Sequence, residues 1–296
     1  MYVTRGTFSQ DLKDANTTLG GYLRATFPNL KPIQADYKSR ADALVVDSAG
    51  ASPTLIGTAV DLIPRLIAEP DELPTSAALL FPLNQGYHEE LAALVELAND
   101  TDRATQAKAA WGLALCVSAY RAGAAVAPRI PELVRAREFS ASLMMTEAPP
   151  EAVAELVALR ELLESRLMSR LTPPTVFGPL FDLSKLGKGQ RIAAEADLIS
   201  GGLLVDVKSN LAPKTKAGDR PDVLKPEHVH QLLGYALLDY SDAYSIQNVA
   251  IYSARYGSLI DWRLVHVAET AAGRAFDFAA ARQQVWDLMQ EDIEFV

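Results

Sequence analysis

The sequence predicts an α/β protein, with a mixed β-sheet flanked by helices behind an all-α N-terminal half. Three observations predict it. Apolar residues recur at helical spacing through the first half. After Thr172-Pro173-Pro174 the chain switches to short apolar segments of strand length, separated by turn residues. The second half then orders its segments α-β-β-β-α-β-β-α, a pattern that a helix-covered mixed sheet accommodates.

Length and composition agree with this. The chain has 296 residues, enough for one large domain or two small ones at ~100–200 residues each. Residues of the AVILMFWYC class make up 49% and charged residues 22%, which excludes wholesale disorder. The single cysteine, Cys116, excludes a disulfide framework and a Cys-rich zinc site. The opening MYVTRGTFSQDLKD has no apolar signal core, and no uncharged apolar run reaches ~18 residues. A cytoplasmic protein without a membrane span is therefore expected. The net charge of −9 excludes a protein that coats DNA by bulk charge. It leaves room for an enzyme whose acidic metal site lowers the net charge by itself.

Helices are expected at 54–69, 87–98 and 102–123. Pro64 should kink or interrupt the first. Asp102 and Gly123 should cap the third. The breaker-rich 146–152 (TEAPPEA) suggests a boundary, giving a helical domain at 1–145 and an α/β domain at 146–296. The α/β part should contain a helix at 151–170, strands at 175–182, 192–199 and 203–208, and a helix at 226–239. Strands at 247–254 and 258–266 and a helix near 268–289 complete it.

The chemistry concentrates at 195–208. Ser200-Gly201-Gly202 is turn chemistry between two apolar strands. Side chains alternate along a strand, so Glu195 and Asp197 should share a face of the first, and Asp206 and Lys208 a face of the second. A tight hairpin would bring two or three carboxylates and one ammonium to one end of a sheet. Such oxygens suit Mg²⁺ or Mn²⁺, which stabilises charge on a phosphodiester and activates water. The lysine would offset developing charge. The plain alternative is a surface salt bridge of small worth. The apolar strands around these charges favour a buried edge.

Asp197 followed by Asp206-Val207-Lys208 resembles the motif of the PD-(D/E)XK nuclease superfamily. Gln231-Leu232-Leu233-Gly234-Tyr235 resembles the Q-x-x-x-Y motif of its RecB-like branch. The order helix, three strands, helix, strand also matches, over roughly 150–265. The chain departs from the branch in carrying Ala194-Glu195-Ala196-Asp197 in place of Gly-x-x-Asp, and Asp206 where Glu is common. The resemblance implies a restriction-endonuclease-like fold and a Mg²⁺- or Mn²⁺-dependent nuclease. Asp197 and Asp206 would bind metal, Lys208 would position the attacking water, and Gln231 and Tyr235 would support the site. Family habit puts DNA ahead of RNA and points to prokaryotic defence or repair. The rival expectation is an inactive nuclease fold serving as a binding or scaffold module in a nucleic-acid-processing complex.

Further candidates follow. On a helical wheel His228, Gln231 and Tyr235 share one face of the 226–239 helix; neither His228 nor His230 is expected to be a metal ligand. The superfamily often places a Glu on its first core helix. Val153, Leu156, Val157, Leu167 and Met168 mark the apolar side of 151–170, and Glu164 falls within that arc, while Glu151 and Glu155 face away. Glu164 is thus a candidate ligand, with an ion pair to Arg160 as its alternative. Glu195 is another, through the face of Asp197. Lys185, Lys188 and Arg191 before the first strand, and Lys214, Lys216 and Arg220 after Lys208, could bind a phosphate backbone. Arg255 could reach the site or stay at a hairpin turn. Trp111–Tyr120 reads as core. The helical half is expected to restrict access, recruit a protein partner or mediate self-association. No nucleotide-hydrolysis or zinc-protease motif is present.

Overall fold

The computed structural model describes residues 6–81, 85–181 and 192–291. The first half contains β1 (Gly6–Thr7), α1 (Phe8–Asp11), α2 (Thr18–Thr26), α3 (Lys31–Arg40), α4 (Pro53–Ala68), α5 (Thr75–Ala78), α6 (Gln85–Leu97), α7 (Arg103–Ala122), α8 (Arg129–Ala136) and α9 (Ala141–Thr146). The second contains α10 (Pro150–Arg166), β2 (Thr175–Phe177), β3 (Leu180–Phe181), β4 (Ile192–Glu195), β5 (Leu198–Ser200), β6 (Leu203–Lys208), α11 (Pro226–Leu238), β7 (Asn248–Ser253), β8 (Ser258–Arg263), α12 (Leu264–Ala272) and α13 (Phe278–Glu291).

Five strands form a mixed sheet in the order β2-β5-β6-β7-β8. Only β6 and β7 run parallel; the other neighbours are antiparallel. A small sheet, β1-β4-β3, lies apart from it. One apolar core joins α4, α7 and α10 to Leu198, Val205, Val207, Ala250 and Tyr252 of the sheet. A second joins α2, α3, α11, α12 and α13 to Ile199, Leu204, Val249 and Ile251. Alternation along β5–β7 thus sends odd and even residues into different cores. Each core draws on residues from both sides of position 146. Among the described residues, no single helix is long and apolar enough to cross a membrane.

Local chemistry explains most boundaries. The Asp102 carboxylate accepts from the Thr105 N–H at 2.8 Å, and Gly123 ends α7 at φ 68°. Pro64 does not interrupt α4, which runs unbroken from Pro53 to Ala68. Leu55, Ile56, Ala59, Val60, Ile63 and Leu66 are buried along that helix, and this burial outweighs the ~3 kcal/mol an internal proline costs.

Several expected elements divide. The 175–182 strand breaks at Gly178-Pro179, and Gly178 has φ +59°. The 192–199 strand breaks at Ala196-Asp197, so β4 and β5 belong to different sheets. The 258–266 strand stops at Arg263, and Leu264–His266 begin α12. The closing helix becomes two, because Gly273 at φ +69° ends α12. On α10 the buried stripe is Ala152, Glu155, Leu156, Leu159, Arg160 and Leu163. Glu155 therefore faces the core, contrary to the wheel drawn from Val153, Val157 and Met168. Its carboxylate meets Arg255 at 2.6 Å, with both side chains almost fully buried. Arg255 also donates to the Ser209 and Val46 carbonyls, so this guanidinium ties α10 to the β7–β8 turn and to the backbone just after Lys208.

Candidate active site

The site begins with a mismatch in strand length. Strand β5 pairs with β6 only through Leu198–Val205, Ile199–Leu204 and Ser200–Leu203. Strand β6 continues through Asp206, Val207 and Lys208, which keep partners only on the β7 side. The N–H of Val207 faces the vacated side, and a buried donor needs an acceptor. Asp197 supplies it from the β4–β5 break, its Oδ2 accepting from Val207 N at 2.6 Å. The break that separates Glu195 from Asp197 thus places the Asp197 carboxylate beside Asp206.

Asp206 and Lys208 share a face of β6, as alternation predicts, and that face meets α11. Lys208 Nζ donates to Asp206 Oδ1 at 2.8 Å and to Gln231 Oε1 at 3.1 Å. Gln231 Nε2 donates to Tyr235 Oη at 3.0 Å, and Tyr235 Oη donates to the Glu195 carbonyl at 2.8 Å. A continuous chain of hydrogen bonds therefore runs from β6 through α11 to β4. Gln231 and Tyr235 hold the ammonium in place. Gly234 makes room for this packing: the Phe8 ring occupies the space a Cβ would need and lies tilted against Tyr235, with 4.9 Å between centroids.

These residues line a cavity of about 230 Å³ together with Thr58, Asp61 and Arg65 of α4, Arg121 of α7, and Glu195. Asp61 was not anticipated. Its signal was legible, as the acid inside the apolar run of α4, but only packing shows that α4 faces the β5–β6 gap.

The electrostatics are strained toward negative charge. Burial, then the Asp197 carboxylate, push Asp61 well above the ordinary carboxylate range, against the pull of Lys208 and Arg121. Burial raises Asp197 as well, opposed by Lys208 and the Val207 N–H. Asp206, 1% exposed, is pushed up to about 7 by burial despite Lys208 beside it. Burial would lower Lys208, but Asp206 and Asp197 outweigh it and hold the ammonium above its usual value. One ammonium thus faces three carboxylates.

A divalent cation fits this donor set. Asp206 Oδ2 is buried and accepts no well-formed hydrogen bond, although Lys208 Nζ lies 2.7 Å away as an ion-pair partner. The oxygens are hard and negatively charged, and their mutual repulsion is what a cation would relieve. Among the described residues, no three His, Cys, Asp or Glu side chains form a ready-made metal cage. A Mg²⁺ site that keeps several waters uses only one or two carboxylates, so it does not need such a cage.

Other anticipated residues lie elsewhere. Glu164 does not line the cavity. Arg103 grips it at 2.8 and 2.6 Å, and Arg160 donates to it at 2.9 Å, so the ion pair with Arg160 is present and strengthened by a second arginine. Glu195 does line the cavity but pairs with Arg121 at 3.3 Å. Lys214 and Lys216 are exposed on the loop after β6. Arg220 is committed within the structure, donating to the Ala212 carbonyl at 2.8 Å and pairing with Asp47. Lys185, Lys188 and Arg191 lie outside the described residues. His230 contacts the Phe27 carbonyl at 3.2 Å, and burial pushes His228 down to about 3, keeping it neutral. Trp111 is buried, donating to the Glu147 carbonyl at 3.1 Å, whereas Tyr120 is exposed.

Comparison of the chain with protein-family models, with curated proteins and with solved structures returns no match.

Proposed function

We propose that this protein is a metal-dependent phosphodiesterase, a nuclease of the PD-(D/E)XK kind with a RecB-like α11, acting on DNA ahead of RNA. One observation carries the reading. Asp197, Asp206, Lys208, Gln231 and Tyr235, separated by up to 38 positions in sequence, line one cavity; hydrogen bonds join the last four, and Asp197 is held to the same strand by the Val207 N–H. A surface salt bridge would need neither the burial nor the relay.

Asp197 and Asp206 would hold Mg²⁺ or Mn²⁺, with Asp61 as a third carboxylate within the cavity. The cation would supply charge neutralisation at the phosphodiester and acidify a water. The protein's own groups do the rest. Lys208 keeps its proton and directs it into the cavity, where it orients a water and offsets charge on the phosphorane-like transition state. Gln231 and Tyr235 restrict the lysine to one rotamer, so little reorganisation accompanies reaction.

The test is a cleavage assay on single-stranded DNA, linear and circular duplex DNA, and RNA, with Mg²⁺, Mn²⁺ or EDTA. Cutting that requires metal and vanishes in Asp206→Ala and Lys208→Ala supports the reading, and the substrate panel identifies the class. A second reading is the inactive nuclease fold acting as a scaffold, in which Lys208 stays paired to Asp206 and Gln231 as a structural network. It predicts nucleic-acid binding without cutting and no stabilisation by Mn²⁺.

A further inference from the structure

We propose that Arg65 and Arg121 are the substrate-phosphate grip of this site, held in reserve by Glu69 and Glu195 until a phosphodiester displaces them. The proposal rests on the phosphodiesterase reading and names residues outside the superfamily-like segment. An anionic strand approaching the cavity meets four carboxylates: Asp61, Glu195, Asp197 and Asp206. The floor offers little to attract it, because Lys208 already donates to Asp206 and Gln231. Among the described residues lining the cavity, the other cations are Arg65 and Arg121.

Their placement suits the task. Arg65 lies one helical turn beyond Asp61 on α4, so the two share a face. Arg121 stands near the end of α7, which packs on α4. Both present guanidinium forks, whose planar geometry matches two phosphate oxygens. Gly178 keeps the space clear: a Cβ there would lie 2.7 Å from Glu195 Oε1 and 3.3 Å from Arg65 Nη1.

Their present partners hold them loosely. Arg121 meets Glu195 at 3.3 Å, and its side chain is 48% exposed. Arg65 Nε lies 3.2 Å from Glu69 Oε2, yet that nitrogen is buried without a well-formed hydrogen bond. The contrast is with Arg103, gripped twice by Glu164, and Arg255, sealed against Glu155 at 2.6 Å. Exposed pairs of long side chains are weak, so a phosphate competes for Arg121 at small cost, and at Arg65 it displaces no well-formed hydrogen bond from Nε. Displacement also frees the Glu195 carboxylate inside the cavity.

The experiment measures binding of a fluorescein-labelled single-stranded dT oligonucleotide in EDTA, by anisotropy across a salt series, with Mn²⁺-dependent cleavage kinetics in parallel. Arg65→Gln and Arg121→Gln should each weaken binding about tenfold and flatten the salt slope by ~0.7, and should raise KM more than they lower kcat. Arg121→Lys should keep the slope while losing part of the affinity. Glu195→Gln, which removes the competitor of Arg121, should tighten metal-free binding severalfold. This opposite sign cannot come from misfolding. Arg135→Gln, at an exposed position on α8, should change nothing. Wild-type binding and cutting with unaltered arginine variants would overturn the grip alone. A wild-type protein that neither binds nor cuts would overturn the phosphodiesterase reading and the grip with it.

Discussion

Replacing Asp206 with Asn should change how stability depends on pH. Burial holds the folded carboxyl at about 7, against 3.8 for an exposed aspartate. Between those values the folded chain retains a proton that the unfolded chain has released. The stability contributed by this group is therefore full below about pH 4, falls as pH rises, and is lost above about 7. A shift of about three pH units at 1.36 kcal/mol each corresponds to roughly 4 kcal/mol. Asp206 is 1% exposed, so solvent screening removes little of it. Unfolding entropy near ~2.1 cal/mol/K per residue gives ~0.6 kcal/mol/K for a chain of this length, so the effect is roughly 6 °C in Tm. The assay is thermal unfolding of both proteins in EDTA from pH 4 to pH 8. Asp61 and Asp197 titrate together with Asp206, so the difference curve reports what removing one carboxylate does to the whole cluster, and the burial of Asp206 sets its sign. The Tm of the wild type relative to Asp206→Asn should fall by about 6 °C over that range. Parallel curves would refute the claim that Asp206 is buried beside other carboxylates with only one compensating ammonium.

Other outcomes follow from the same geometry. Mn²⁺ binding at pH 6 should release protons, because Asp206 is then mostly protonated; calorimetry in buffers of different ionisation heat should show that release fading by pH 8–9. Lys208→Met should lower kcat/KM on the order of 10²- to 10³-fold while leaving the fold intact by circular dichroism. Gly234→Ala should cost about 1–3 kcal/mol in urea unfolding, because its Cβ would displace the Phe8 ring from α11. Glu155→Ala should cost about 3–5 kcal/mol, since it leaves the Arg255 guanidinium buried without a counter-charge.

Much of the architecture is written in local pattern. The helices at 103–122 and 226–238 follow from apolar periodicity and from their termini, Asp102 and Gly123 in one and Pro226 in the other. Strand β6 and its turn at Gly201-Gly202 follow from an apolar run and turn residues. The pairing of Asp206 with Lys208, and the alignment of Gln231 with Tyr235, are consequences of strand and helix periods, which are properties of the backbone. What packing decided lies beyond that range. Sequence could not show that β4 and β5 separate at Asp197, because the break is stabilised by the Val207 N–H of another strand. It could not select Asp61, 136 positions before Asp197, or reject Glu164, whose partner Arg103 comes from another helix. It misjudged the inner face of α10, since a buried Glu155–Arg255 pair looks polar on a helical wheel while packing as core. A residue's period is set by its immediate neighbours, whereas the charge it faces is set by whatever surface the folded chain brings against it.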